Sequence, residues 1–104
     1  MKFSKAGWSS VNGTHLQGNI NITYATLKRV FGKEHSDGDG YKVQAEWALK
    51  FADGTVATIY DYKEGKAYNG KGGKPKTKVT DWHIGGKSPL AVHRVEEAIQ
   101  QAAV

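Results

Sequence analysis

Gly85-Gly86-Lys87-Ser88 falls where a strand is expected to give way to a helix, and at such a junction backbone amides, a lysine and a serine hydroxyl can together hold a phosphate. The nucleotide-binding pattern G-x-x-x-x-G-K-[ST] needs a glycine where this chain has Asp81, and a carboxylate there repels the phosphate that the loop should cradle. Gly86, Lys87 and Ser88 are therefore a candidate anion site beside the plainer reading of a turn and helix cap. His35-x-Asp37-x-Asp39-Gly40, with Glu46 six residues on, approaches a calcium loop. His35 stands where the first carboxylate belongs, and the residues after Gly40 alternate as a strand instead of leaving as a helix, so a solvated turn is expected. Asp61, Asp81, His83 and His93 are acid–base or metal-binding types, and Asp81 and His83 share one strand face. No H-E-x-x-H spacing, cysteine or nucleophile elbow accompanies them. They read as polar residues of an exposed sheet face, and no catalytic residue, metal ligand or cofactor is expected.

Charge is the broader signal. Fifteen Lys and Arg against ten Asp and Glu give a formal +5, which favours nucleic acid or an acidic protein face as partner and argues against a mimic of DNA. The excess is local: Lys63, Lys66, Lys71, Lys74, Lys76 and Lys78 lie in one Gly-rich segment whose single acid is Glu64. Tyr60, Tyr62 and Tyr68 lie in or beside it, and cations mixed with rings can follow a phosphate backbone and stack a base. The alternative is a solvated loop kept soluble by lysines, which lack the planar fork that only Arg29 and Arg94 could offer. Trp8, Trp47 and Trp82 read as core or half-buried packing, although Trp82 also counts as a candidate anchor.

These residues need a scaffold. Every second residue from Tyr41 to Phe51 is apolar, the period of a half-buried antiparallel strand, and Asp53-Gly54 supplies the positive φ angles of a hairpin turn into a second strand over 55–62. Asn12-Gly13 favours a type I′ turn between short strands at 8–11 and 14–16. Thr23 can cap a helix over 24–31 that ends at Gly32. After segment 63–78, expected to be a mobile loop or an extended hairpin tip, come a strand over 78–84 and a helix from Pro89 to about Ala102. Ser88 should accept that helix's free amides, and Ala91, Val95, Ala98, Ile99 and Ala102 form its buried stripe. The order predicts a single α+β domain over residues 1–104, a small antiparallel sheet with two helices packed on one face. With no cysteine, no apolar run near the ~18 residues of a membrane span and no signal-peptide core in MKFSKAGWSSVNG, a soluble cytoplasmic protein without a membrane partner is expected.

Three stretches, TYATLKRVFG (23–32), EWALKFADGTVATIYDYK (46–63) and DWHIGGKSP (81–89), together about a third of the chain, resemble a family of small, mostly uncharacterised proteins encoded in bacteriophage genomes. The resemblance implies a phage accessory protein acting in the cytoplasm of an infected bacterium, of the anti-defence or anti-CRISPR type, and carries over no catalytic residue. The expected function is thus a non-enzymatic inhibitor that binds a host defence component such as a CRISPR effector. Its partner-binding residues would be Tyr62, Lys63, Lys66, Tyr68, Lys71, Lys74, Lys76, Lys78 and Trp82, set against an acidic or nucleic-acid-binding surface. The alternative is a small nucleic-acid- or nucleotide-binding module that uses the same basic segment and the helix end at 86–88. A third reading is a small enzyme centred on Asp61, Asp81 and His83.

Overall fold

Five strands and three helices make up the computed structural model, which describes residues 1–103. The strands are β1 (Phe3–Lys5), β2 (His15–Asn21), β3 (Glu46–Phe51), β4 (Val56–Tyr60) and β5 (Asp81–Gly86), and the helices are α1 (Tyr24–Phe31), α2 (Lys66–Asn69) and α3 (Leu90–Ala102). The strands form one antiparallel sheet in the order β1-β3-β4-β5-β2, so the chain is an α+β fold. No described helix is long and apolar enough to cross a membrane.

Directly opposed residues of an antiparallel pair face the same side, so the register sorts the side chains. Trp47, Ile59, Ile84 and Gly18 form a row on one side. On the same side α1 contributes Tyr24, Leu27 and Phe31, and α3 contributes Ala91, Val95 and Ala98, all joined in one buried cluster. Trp47 and Trp82 meet edge to face at 5.5 Å, and Tyr24 lies 6.0 and 6.3 Å from them. Both indole N–H groups donate within the fold, Trp47 to the Gly32 carbonyl at 2.8 Å and Trp82 to that of Val79 at 3.2 Å, which removes the cost of burying them.

Both long helices start and stop close to where the sequence places them. The Thr23 hydroxyl accepts from the Thr26 amide at 3.1 Å, and Gly32 ends α1 with φ of 83°. At α3 the cap differs from expectation: the Ser88 carbonyl, not its hydroxyl, accepts from the Ala91 amide at 3.1 Å. In the β3–β4 hairpin only Gly54 has positive φ, 89°. The Gly54 amide bonds the Phe51 carbonyl and the Phe51 amide bonds that of Thr55, which makes a three-residue connection with glycine at the left-handed position. Asp53 contributes through its side chain, accepting from the Thr55 amide and from Arg94 of α3, each at 2.9 Å. These contacts, Thr55 first, hold the Asp53 carboxyl down to about 2.

Three expected elements take other forms. Residues 8–11 are a 3-10 turn, not a strand, and Asn12 at φ −60°, ψ 136° with only Gly13 left-handed makes a type II turn, whose twist does not match that of a two-residue hairpin. Strand β1 instead lies earlier in the chain and pairs with β3, and β2 crosses to β5. Residues 41–45 alternate in sequence yet lie outside β3, since two carboxylates take their amides. Asp39 Oδ1 accepts from Tyr41, Lys42 and Val43 at 2.8 to 3.0 Å, and Asp61 Oδ1 accepts from Gln44 and Ala45 at 2.7 and 3.1 Å. Segment 63–78 is neither an extended tip nor continuous with β5: it folds into α2 and two 3-10 turns, Gly70–Gly72 and Lys76–Lys78.

Candidate functional site

A buried carboxylate anchors the basic segment. Asp61 is fully buried and its Oδ2 accepts from Gln44 Nε2 at 2.7 Å, while that same amide nitrogen reaches the Lys74 carbonyl at 3.0 Å. The Lys74 amide bonds the Glu64 carbonyl at 2.7 Å, so 64–74 closes as a loop with joined ends. Lys63 enters it at φ of 60°, a left-handed conformation uncommon for a side-chain-bearing residue, and its amide bonds the Lys42 carbonyl at 2.7 Å. A Cβ on Gly65 would stand 2.6 Å from Gln44 Cδ, so a side chain there would push the Gln44 amide away from Asp61 and the Lys74 carbonyl.

The lysines of the segment divide. Lys63, Lys66, Lys71, Lys74 and Lys78 are exposed. Lys76 turns inward, with Nζ 2.6 Å from Glu34 Oε2 and 5.9 Å from the centre of the Tyr24 ring. The Glu34 side chain is 1 % exposed and its other oxygen accepts from the Tyr24 hydroxyl at 2.6 Å. Burial alone would raise the Glu34 carboxyl, but hydrogen bonds from Lys76 and Tyr24 outweigh it and hold the group below its ordinary value. The bond to Glu34 likewise raises Lys76. Lys76 therefore fastens the segment to the core and is withdrawn from the set of free partner-binding cations. Trp82 is withdrawn as well: it is fully buried on the helix side, a position no partner touches.

What remains of the expected site meets residues from the sheet. Glu46, Tyr60, His83 and Asn19 form a row on the side away from the helices. Next to it runs the row Ala48, Thr58, Gly85 and Leu16. His83 lies 5.6 Å from Tyr60, edge to face, and 5.6 Å from Tyr62. Lys63 Nζ stands 5.1 Å over the Tyr62 ring and 5.3 Å over that of Tyr68, and Tyr68 meets Tyr41 at 5.2 Å. Leu16, Tyr60, Tyr62 and His83 line a cleft of about 390 Å3. Tyr41, Tyr62 and Tyr68 are 51, 37 and 37 % exposed, far above the buried rings of the core. Bonding to Tyr68 raises the Lys63 ammonium, and burial raises Tyr60 and Glu46. The sequence named Tyr62, Lys63 and Tyr68 but not Leu16, Tyr41 or His83 as neighbours. The signal for His83 was the alternation of 81–84, which turns it outward once Trp82 points in.

The other sequence candidates disperse. Gly86 is buried, its carbonyl accepts from Gln17 Nε2 at 3.0 Å, and a Cβ there would lie 2.3 Å from Ala91 Cβ. Its glycine serves the close approach of α3, while Lys87 and Ser88 stand exposed in the bend beyond. Asp81 accepts from Asn19 at 3.2 Å, Asp61 is committed to amides, and His93 stands exposed on α3. His35 Nδ1 accepts from the Ala48 amide at 3.0 Å, away from the duties of Asp39. Among the described residues no three His, Asp or Glu stand close enough to share a metal ion. No family model matches the chain, and no curated protein matches it.

Proposed function

We propose that this chain is a non-enzymatic binding protein that acts by covering a partner with its ring-and-lysine face. The partner, in the setting that the phage resemblance implies, is a host defence component such as a CRISPR effector in the cytoplasm of the infected cell. The observation that carries the reading is the unbroken contact from Tyr60 through His83, Tyr62 and Lys63 to Tyr68 and Tyr41, exposed over its outer part, with Lys66, Lys71 and Lys74 exposed on the same segment. Tyrosines in such surroundings supply large contact area at low entropic cost, and a rim of cations speeds encounter with an acidic surface. Occlusion of this kind requires complementarity and no reaction.

Direct binding of nucleic acid or a nucleotide is a second reading, favoured by the Lys63 ammonium set over the Tyr62 and Tyr68 rings. The two readings meet, because a CRISPR effector itself carries a guide RNA and a displaced DNA strand.

The test is purification of the tagged protein from bacterial lysate, with and without nuclease, beside a Lys66→Glu/Lys71→Glu/Lys74→Glu variant. A host component held in stoichiometric amount by the parent and lost by the variant is the expected result. Equal retention by the two proteins overturns this face as the interface.

A further inference from the structure

We infer that the line Tyr60, His83, Tyr62, Lys63, Tyr68, Tyr41 is a track for single-stranded nucleic acid. The inference rests on the binding reading above and names the chemistry that the same face takes. Ring centres follow one another at 5.6, 5.6 and 5.2 Å, with the Lys63 ammonium bridging Tyr62 and Tyr68 at 5.1 and 5.3 Å. An ammonium set among exposed rings suits a polymer that offers a phosphate and a flat ring at each step.

The charge agrees with that occupant. Lys63 stands over two of the rings, Lys66, Lys71 and Lys74 are exposed on the same segment 63–78, and the chain as a whole carries +5. A strand with one phosphate per nucleotide finds counter-charges there, and its bases find ring faces along the rest. Glu46 and Asp81 share the sheet face with His83, which directs phosphates toward the lysine end and bases toward the sheet. The cleft bounded by Leu16, Tyr60, Tyr62 and His83, about 390 Å3, lies in the lower range of small-ligand sites. It admits an unstacked base and excludes a duplex, whose bases are already stacked on one another.

Fluorescence anisotropy with the full chain tests this directly, using labelled dT20, rU20, the same DNA as a duplex, and a poly-glutamate peptide of equal charge. The expected result is binding of the single strands, with the duplex and the peptide at least about tenfold weaker, and an affinity that falls as salt rises. Tyr62→Ala should lower single-strand affinity about tenfold while Tyr62→Phe retains it, the signature of stacking. Lys28→Glu, an equal charge change on the exposed surface of α1, should leave affinity within about twofold. Equal binding of the peptide or the duplex, or a Tyr62→Ala variant that binds as the parent does, overturns the inference. Should no oligonucleotide bind while host-component capture still depends on Tyr62 and the lysines, the inference falls and the binding reading stands. Should capture be indifferent to both, the two fall together.

Discussion

On the helix side of the sheet, Trp47, Trp82 and Tyr24 touch at 5.5 to 6.3 Å and are sealed by α1 and α3. On the side away from α1 and α3, His83 lies 5.6 Å from both Tyr60 and Tyr62, and Tyr62 is 37 % exposed. The residue types and spacings are close to interchangeable, so aromatic content alone does not separate core from surface. The polar ends of the rings do separate them. Each inner ring finishes its hydrogen bonding inside, at Gly32, Val79 or Glu34, whereas Tyr62 on the outer side leans on a lysine that water also reaches.

Substitutions can break that contrast. Trp82→Ala should cost about 3 to 5 kcal/mol of stability through the cavity it leaves. Denaturant unfolding checks this, and a loss no larger than that of an outer ring would erase the distinction between the faces. Asp61→Ala should follow at about 3 kcal/mol, because Gln44 and Ala45 lose the acceptor for their amides. It should also loosen segment 63–78, seen as faster amide exchange at Lys74. Lys76→Glu sets two carboxylates together at Glu34 and should cost about 2 kcal/mol, whereas Lys74→Glu should change stability by less than about 0.5 kcal/mol. Similar thermal midpoints for these two variants would show that the lysines of the segment are equivalent after all.

The acid limb sharpens the same point. Glu34 is held below its ordinary value, so its contribution is complete above 4.5 and is lost as pH falls through the lower folded value. Lys76 is raised, so its share persists through neutral pH and is lost only above its folded value, beyond 10.5. Thermal midpoints measured from pH 7 to 2 should fall below about 4.5, and Glu34→Gln should flatten that fall in part, since Asp53 and Asp39 are lowered too. An unaltered acid limb in the variant would remove Glu34 from the account. The smallest stability effect is expected at the outer face, where Tyr62→Ala should shift unfolding by less than about 0.5 kcal/mol while changing binding.

Local signals carried much of the fold. Thr23 and Gly32 bound α1 because a hydroxyl cap and a left-handed glycine act within four residues, and Gly54 marks the central hairpin for the same reason. The sequence misled where a side chain took over a partner's role. Residues 41–45 have strand periodicity, but Asp39 and Asp61 supply the acceptors that a neighbouring strand would have offered. Lys76 is indistinguishable from Lys74 in the sequence, and only the approach of Glu34, 42 residues earlier, sets it apart. Half of the candidate face was legible because Tyr62, Lys63 and Tyr68 are near one another in the chain. His83 and Leu16 join them through strand register, which no local pattern encodes.

The strand order β1-β3-β4-β5-β2 also dictates a schedule of assembly. The two strands earliest in this sequence, β1 and β2, end up at the margins of the sheet, and the neighbour of each lies later in the chain. The hairpin of β3 and β4 is the first pairing that local sequence allows, and β1 can join it at once. Strand β2 must wait for β5, since Ile20 lies opposite Trp82, and such long-range closure is slow to form. Until then β2, a seven-residue edge without a lysine or an acid, travels unpaired. A fragment ending between residues 60 and 80 would hold at most the β3–β4 hairpin with β1, and a loose β2 without its mate, so it should aggregate more readily than the full chain.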